Sequence, residues 1–176
     1  MTPLIESKTL PHTPQNRYLG IDPGLRRTGY ALIERSPKGP VLKEGGIVQT
    51  DPQQPLHLRL LEIATGLREV IADTSPDAAA VELVFAHSRN ARSSLLLAHV
   101  RGIILLAIAE SKIPLLQYSP AQVKRLLTGS GKAPKEQMQH AVQAELKLRS
   151  LPDPHDVADA SGSRRRGKRR AVNAGQ

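Results

Sequence analysis

The chain has 176 residues, of which 39% are apolar and 2% aromatic, with no Cys and a formal charge of +9 from 25 Lys plus Arg against 16 Asp plus Glu. The missing Cys removes disulfides, thiolate zinc sites and cysteine nucleophiles together, which excludes a disulfide-stapled secreted scaffold, while the length suits one domain that buries roughly two thirds of its unfolded surface. The most apolar stretch, 102–109, falls short of the ~20 residues of a membrane span and the N-terminus lacks the apolar core of an export signal, so the expected setting is cytoplasmic and not a membrane.

Residues 1–16 hold three Pro and no apolar period, and read as a disordered leader. Residues 18–21 form a short apolar run that leaves through Asp22, Pro23 and Gly24; 28–33 and 41–49 follow as two further strands of a meander. Leu60, Ile63, Ala64, Leu67, Val70 and Ile71 then repeat at helical spacing between 55 and 72. Residues 77–84 are compact and apolar, as in a strand buried on both faces.

The segment 93–111 is apolar over more of its circumference than one buried face requires, so it is expected to contact two things. Residues 113–118 make a fifth strand. Ser119, Pro120 and Gln122 then have the form of a capping box with Pro at the first helical position. A short helix carrying Lys124 follows, then an amphipathic helix over 134–148 and the start of a last one at 153–160. The expectation is an α/β fold with a mixed five-stranded sheet, three antiparallel strands and then helix and strand in alternation, flanked by helices.

Two acids stand out. Asp22 closes the first strand, and Glu82 lies within Ala-Ala-Val-Glu-Leu-Val-Phe, where an unpaired charge would be costly, so neither has the setting of a surface acid. If the fourth strand lies beside the first, the two are neighbours. Asp156 and Asp159 are three apart and share one helical face. Four converging carboxylates, each pair repelling by about 3 kcal/mol at ~5 Å and an effective dielectric of ~20, need a cation between them. All-oxygen ligands favour a hard ion, Mg²⁺ or Mn²⁺. Two such ions ~3.5 to 4 Å apart would activate water and stabilise the leaving oxygen of a phosphodiester. Taken singly, a strand-end Asp also serves a turn and Asp-x-x-Asp a helix start, and spacing leaves both readings open.

Leu-Gly-Ile-Asp-Pro-Gly-Leu-Arg-Arg-Thr-Gly-Tyr at 19–30 resembles the opening of the RuvC family of Holliday-junction resolvases. So do Val-Glu-Leu-Val-Phe at 81–85, Val-Arg-Gly at 100–102, Ser-Pro-Ala-Gln-Val-Lys at 119–124 and His-Asp-Val-Ala-Asp-Ala at 155–160, in order along the chain. The resemblance implies a ribonuclease H-like nuclease domain over 17–160. It further implies a Mg²⁺-dependent endodeoxyribonuclease that nicks a four-way junction symmetrically and leaves 5′-phosphate ends, with two Mg²⁺ per subunit and Mn²⁺ as a substitute. Asp22, Glu82, Asp156 and Asp159 match the family's metal-binding, catalytic acids.

DNA contacts are expected from Phe85, Arg89, Arg92, Lys124 and Lys135. Composition favours a core position for Phe85, the chain's single Phe; the resemblance turns it to the junction, where base stacking is worth ~1 to 3 kcal/mol. Lys124 and Lys135 lie near helix starts, against the dipole, and match lysines near the scissile phosphate. A homodimer through the 93–109 helix would match the two-fold symmetry of a junction. The resemblance also implies the branch-migration proteins RuvA and RuvB as partners.

After Ala160 the chain departs from the family pattern into Ser-Gly-Ser-Arg-Arg-Arg-Gly-Lys-Arg-Arg, and 161–176 read as a basic disordered tail. A natural extension, an altered reading frame and a form of reduced activity all fit that ending. Two other functions compete: a non-catalytic junction-binding module with a compromised C-terminal metal site, and an ATP-binding domain in which Asp22-Pro23-Gly24 imitates a phosphate loop.

Overall fold

The computed structural model describes residues 16–83 and 91–148. β1 (Arg17–Asp22), β2 (Arg27–Ser36) and β3 (Gly39–Gln49) form the meander, followed by α1 (Leu56–Thr74), β4 (Ala78–Glu82), α2 (Ala91–Glu110), β5 (Leu115–Tyr118), α3 (Pro120–Thr128) and α4 (Lys135–Glu145). The sheet order is β3-β2-β1-β4-β5. β4 runs parallel to β1 and β5 parallel to β4, and parallel neighbours need long crossovers, which α1 and α2 provide. Each expected element between 17 and 148 is present, with ends shifted by a few residues.

Strand alternation divides the sheet into two chemically different faces. Leu19 pairs across with Leu32 and Ala79, and Ile21 with Tyr30 and Val81. These six side chains are buried with Ile63, Leu67, Val70 and Ile71 of α1 and Val100, Ile104, Ala107 and Ile108 of α2. α1 sits so close to β3 that a Cβ at Gly66 would lie 2.6 Å from Cγ1 of Val48. The opposite face carries the intervening residues Gly20, Asp22, Gly29, Ala31, Ala80 and Glu82.

The strand starts are tied together by Asp77, whose carboxylate accepts from the N–H groups of Asn16 and Arg17 at 3.0 and 2.9 Å. The Arg35 N–H donates to the Asn16 carbonyl at 2.7 Å, so Asn16, the last residue of the expected leader, is tied to the sheet.

α2 differs from the sequence expectation in one respect. The helix as folded runs for 20 residues and is long and apolar enough, by length and composition, to cross a membrane, because apolar residues before 102 join the 102–109 run. Its buried side belongs to the core, and Leu95 and Leu106 are left 63% and 48% exposed on other sides. Arg68 of α1 grips Glu110 at the end of α2 through two hydrogen bonds of 2.7 and 3.2 Å. Residues 1–15, the segment 84–90 with Phe85 and Arg89, and the stretch from 149 that includes Asp156, Asp159 and the expected last helix lie outside the described residues.

Candidate active site

Strand register brings Asp22 and Glu82 together. Ile21 is paired with Val81, so the next residues along the parallel strands, Asp22 and Glu82, stand side by side, with backbones ~4.8 Å apart. Gly29 lies opposite Asp22 and Tyr118 opposite Glu82, which makes one row, Gly29–Asp22–Glu82–Tyr118, across four strands. The Leu83 N–H donates to the Tyr118 carbonyl at 2.8 Å and extends the ladder one step past Glu82. A Cβ on residue 29 would lie 3.6 Å from Cβ of Asp22; with Gly there, the space beside the carboxylate stays open.

The sequence suggested acids embedded in apolar surroundings. The strand-end position of Asp22 is the expected one, but the structure corrects the surroundings: both acids end their strands on the face that α1 and α2 do not cover, and each is exposed. The surrounding protein still displaces enough water to matter. Partial burial raises the Asp22 carboxyl above its ordinary pKa. Glu82 is raised by partial burial first and by the Asp22 charge second, and the Lys124 ammonium acts against both.

Lys124 is therefore near Glu82. α3 is aimed by its capping box: the Gln122 N–H donates to Oγ of Ser119 at 3.2 Å, and the Ser119 N–H donates to Oε1 of Gln122 at 2.7 Å, with Pro120 at the first helical position. Lys124 lies one turn into this helix and is half-buried. Lys135 is the exposed first residue of α4, reached through a loop that packs on α3 so closely that a Cβ at Gly131 would sit 3.2 Å from the Ala121 carbonyl oxygen. Arg92 is exposed in the first turn of α2.

Among the described residues no cluster of three or more His, Asp or Glu forms a metal site. Asp22 and Glu82 form a two-carboxylate half-site in which Lys124 offsets the charge of Glu82. Oxygen donors with raised pKa values beside an open position fit a hard divalent cation, which would reverse the repulsion. Gly29 and Tyr118 complete the row without being among the candidates that the sequence offers. Gly29 had a signal, since glycine inside a strand marks a close approach; Tyr118 had none, because its place beside Glu82 depends on the pairing of β4 with β5.

A mixed sheet of this order, with an acid pair at the ends of its central parallel strands, defines a ribonuclease H-like nuclease. Comparison with known proteins narrows the class. The family "Crossover junction endodeoxyribonuclease RuvC" matches residues 18–162. Crossover junction endodeoxyribonucleases RuvC of Rhodopirellula baltica and Desulforamulus reducens are each 46% identical over 142 residues, spanning 81% of this chain and 80% and 86% of theirs. The structure of Thermus thermophilus RuvC in complex with Holliday junction substrate superposes with a TM-score of 0.74 at 33% identity, over 82% of this chain and 88% of that one. A yeast mitochondrial Holliday junction resolvase shares the fold, with a TM-score of 0.59 at 15% identity. The chain belongs to the RuvC family of Holliday junction resolvases, which are metal-dependent nucleases.

Proposed function

We propose that this chain cuts four-way DNA junctions at the acid pair, as a Mg²⁺-dependent homodimer. The observation that carries the reading is the shared row of Asp22 and Glu82 with Lys124 beside it. In this reading Asp22 and Glu82 hold the metal together with Asp156 and Asp159, as the family pattern implies. Two Mg²⁺ ions held there, or Mn²⁺ in their place, would supply activation of water and stabilisation of the leaving oxygen, a chemistry that would leave 5′-phosphate ends.

The chain's own residues do the remaining work. Asp22 and Glu82 stand at paired strand ends, so the backbone that carries them is already ordered before binding. Lys124 faces the same position and offsets charge on the scissile phosphate. Lys135, Arg92, Arg89 and Phe85 extend the DNA contact away from the centre. Exposed Leu95 and Leu106 on α2 supply the apolar surface for a second subunit. Two sites related by a two-fold axis then meet the two strands of a symmetric junction. RuvA and RuvB as partners, and the cytoplasm as the setting, follow from the family.

The test is cleavage of a labelled synthetic four-way junction with Mg²⁺ or Mn²⁺. Asp22→Asn is expected to abolish nicking while binding persists. Undiminished cleavage by that variant would overturn the assignment of the site.

A further inference from the structure

We propose that the turn between β1 and β2 is a rigid phosphate-binding element, in which Arg26 and Arg27 hold the DNA backbone beside the acid pair and Arg59 and Thr50 act as positioning residues. The inference rests on the junction-cutting reading and adds a contact to it.

The turn is fastened from behind. The three carbonyls at 24, 25 and 26 all accept hydrogen bonds from outside the turn. Thr28 Oγ1 donates to the Gly24 carbonyl at 2.8 Å. Thr50 Oγ1 and Arg59 Nη2 donate to the Leu25 carbonyl at 2.6 and 3.1 Å. The Thr50 N–H donates to the Arg26 carbonyl at 3.1 Å. Arg59 Nε also donates to Thr50 Oγ1 at 3.1 Å, so α1, the end of β3 and the turn form one network. Thr28 and Thr50 are buried. The turn is also tight: a Cβ at Gly24 would lie 2.2 Å from the Arg27 carbonyl oxygen.

This network presents two cations. Arg27 shares a sheet face with Gly29, and Gly29 is paired with Asp22, so Arg27 stands two residues, ~7 Å, along the strand from the acid row and on its side of the sheet. Arg26 precedes it in the turn. Both are exposed, and among the described residues neither has an ion pair. Lys124 acts on Glu82, and among the described residues neither arginine is paired with an acid, so both are open to an anion. Arg59 has no acidic partner among the described residues either; its bonds go to a hydroxyl and a carbonyl. An unneutralised pair of guanidinium groups, carried on a fastened backbone beside a phosphodiester-cutting centre, suits backbone phosphate, which guanidinium binds in bidentate fashion.

The experiment measures affinity of the full chain for a labelled four-way junction, without divalent metal, over ~50 to 200 mM salt. Each phosphate contact adds about 0.9 to the slope of log K against log salt. Arg26→Ala with Arg27→Ala is expected to make the slope shallower by about 1.8 and to weaken binding at least tenfold, with unchanged melting. Thr50→Val keeps both cations and loosens the turn, so binding should weaken severalfold while the slope holds. Arg59→Gln should do the same, and stands in if Thr50→Val melts early. An unchanged slope in the double variant, with wild type still binding and cutting, overturns this inference and leaves the resolvase reading intact. Wild-type affinity in both turn variants removes the positioning role. Failure of wild type to bind any junction removes the inference and the reading beneath it together.

Discussion

The two faces of the sheet come from the same strands and differ in almost everything else. On one, Leu19, Ile21, Leu32 and Val81 are sealed under α1 and α2. On the other, Gly20, Gly29, Ala31 and Ala80 form a floor of small residues beneath two exposed carboxylates. Alternation lets one short strand serve both, since β1 sends Ile21 into the core and the next residue, Asp22, into the site. The buried face can therefore hold the backbone still while the open face carries charges that would be too costly inside.

Exchanging the roles of the two faces gives the sharpest tests. Asp22→Asn should lower the cleavage rate by about a thousandfold or more, since losing a metal ligand forfeits several kcal/mol of transition-state stabilisation at 1.36 kcal/mol per tenfold. Its melting temperature should not fall. Leu67→Ala, on the core side, should do the opposite: an unfolding cost of about 2 to 5 kcal/mol, read by denaturant titration, with cleavage kept at temperatures where the variant is folded. A core variant that lost cleavage while fully folded would break the separation.

Ser119→Ala tests the link between fold and site. Loss of the cap should cost about 1 kcal/mol, and the loosened α3 should reduce cleavage through Lys124 more than junction binding.

The smallest effect concerns pH. Asp22 and Glu82 have raised pKa values in the folded chain, so the folded state holds their protons more tightly than the unfolded state does. Their contribution to stability is thus present at acidic pH, below the ordinary carboxyl range, and is lost as pH rises through the raised values of the pair. In metal-free protein Glu82→Gln should flatten that dependence and raise the melting temperature slightly near neutral pH. Scanning calorimetry with chelator across pH checks the sign; a lower melting temperature for Glu82→Gln would contradict it.

Much of the fold was legible locally. The α1 stripe from Leu60 to Ile71, the Ser119–Gln122 cap and the wide apolar surface of α2 each follow from spacing within a few residues, and each is present. The acids at 22 and 82 were legible as candidates because each interrupts or ends an apolar run. Their environment was not, since an acid at the last position of a strand can point to either face, and only pairing decides which.

The turn network was invisible in sequence for the same reason. Leu25 meets Thr50 across 25 residues and Arg59 across 34, and no periodicity links them. The sequence by itself determined the elements, their order and the residue types available for chemistry, because propensity, capping and burial patterns act over one or two turns of chain. The tertiary structure alone decided that β4 lies against β1 in the register that sets Asp22 beside Glu82, that Lys124 comes near Glu82, and that Arg27 shares the acids' side of the sheet. Those placements depend on hydrogen-bonded pairing between distant segments and on the crossovers that α1 and α2 make.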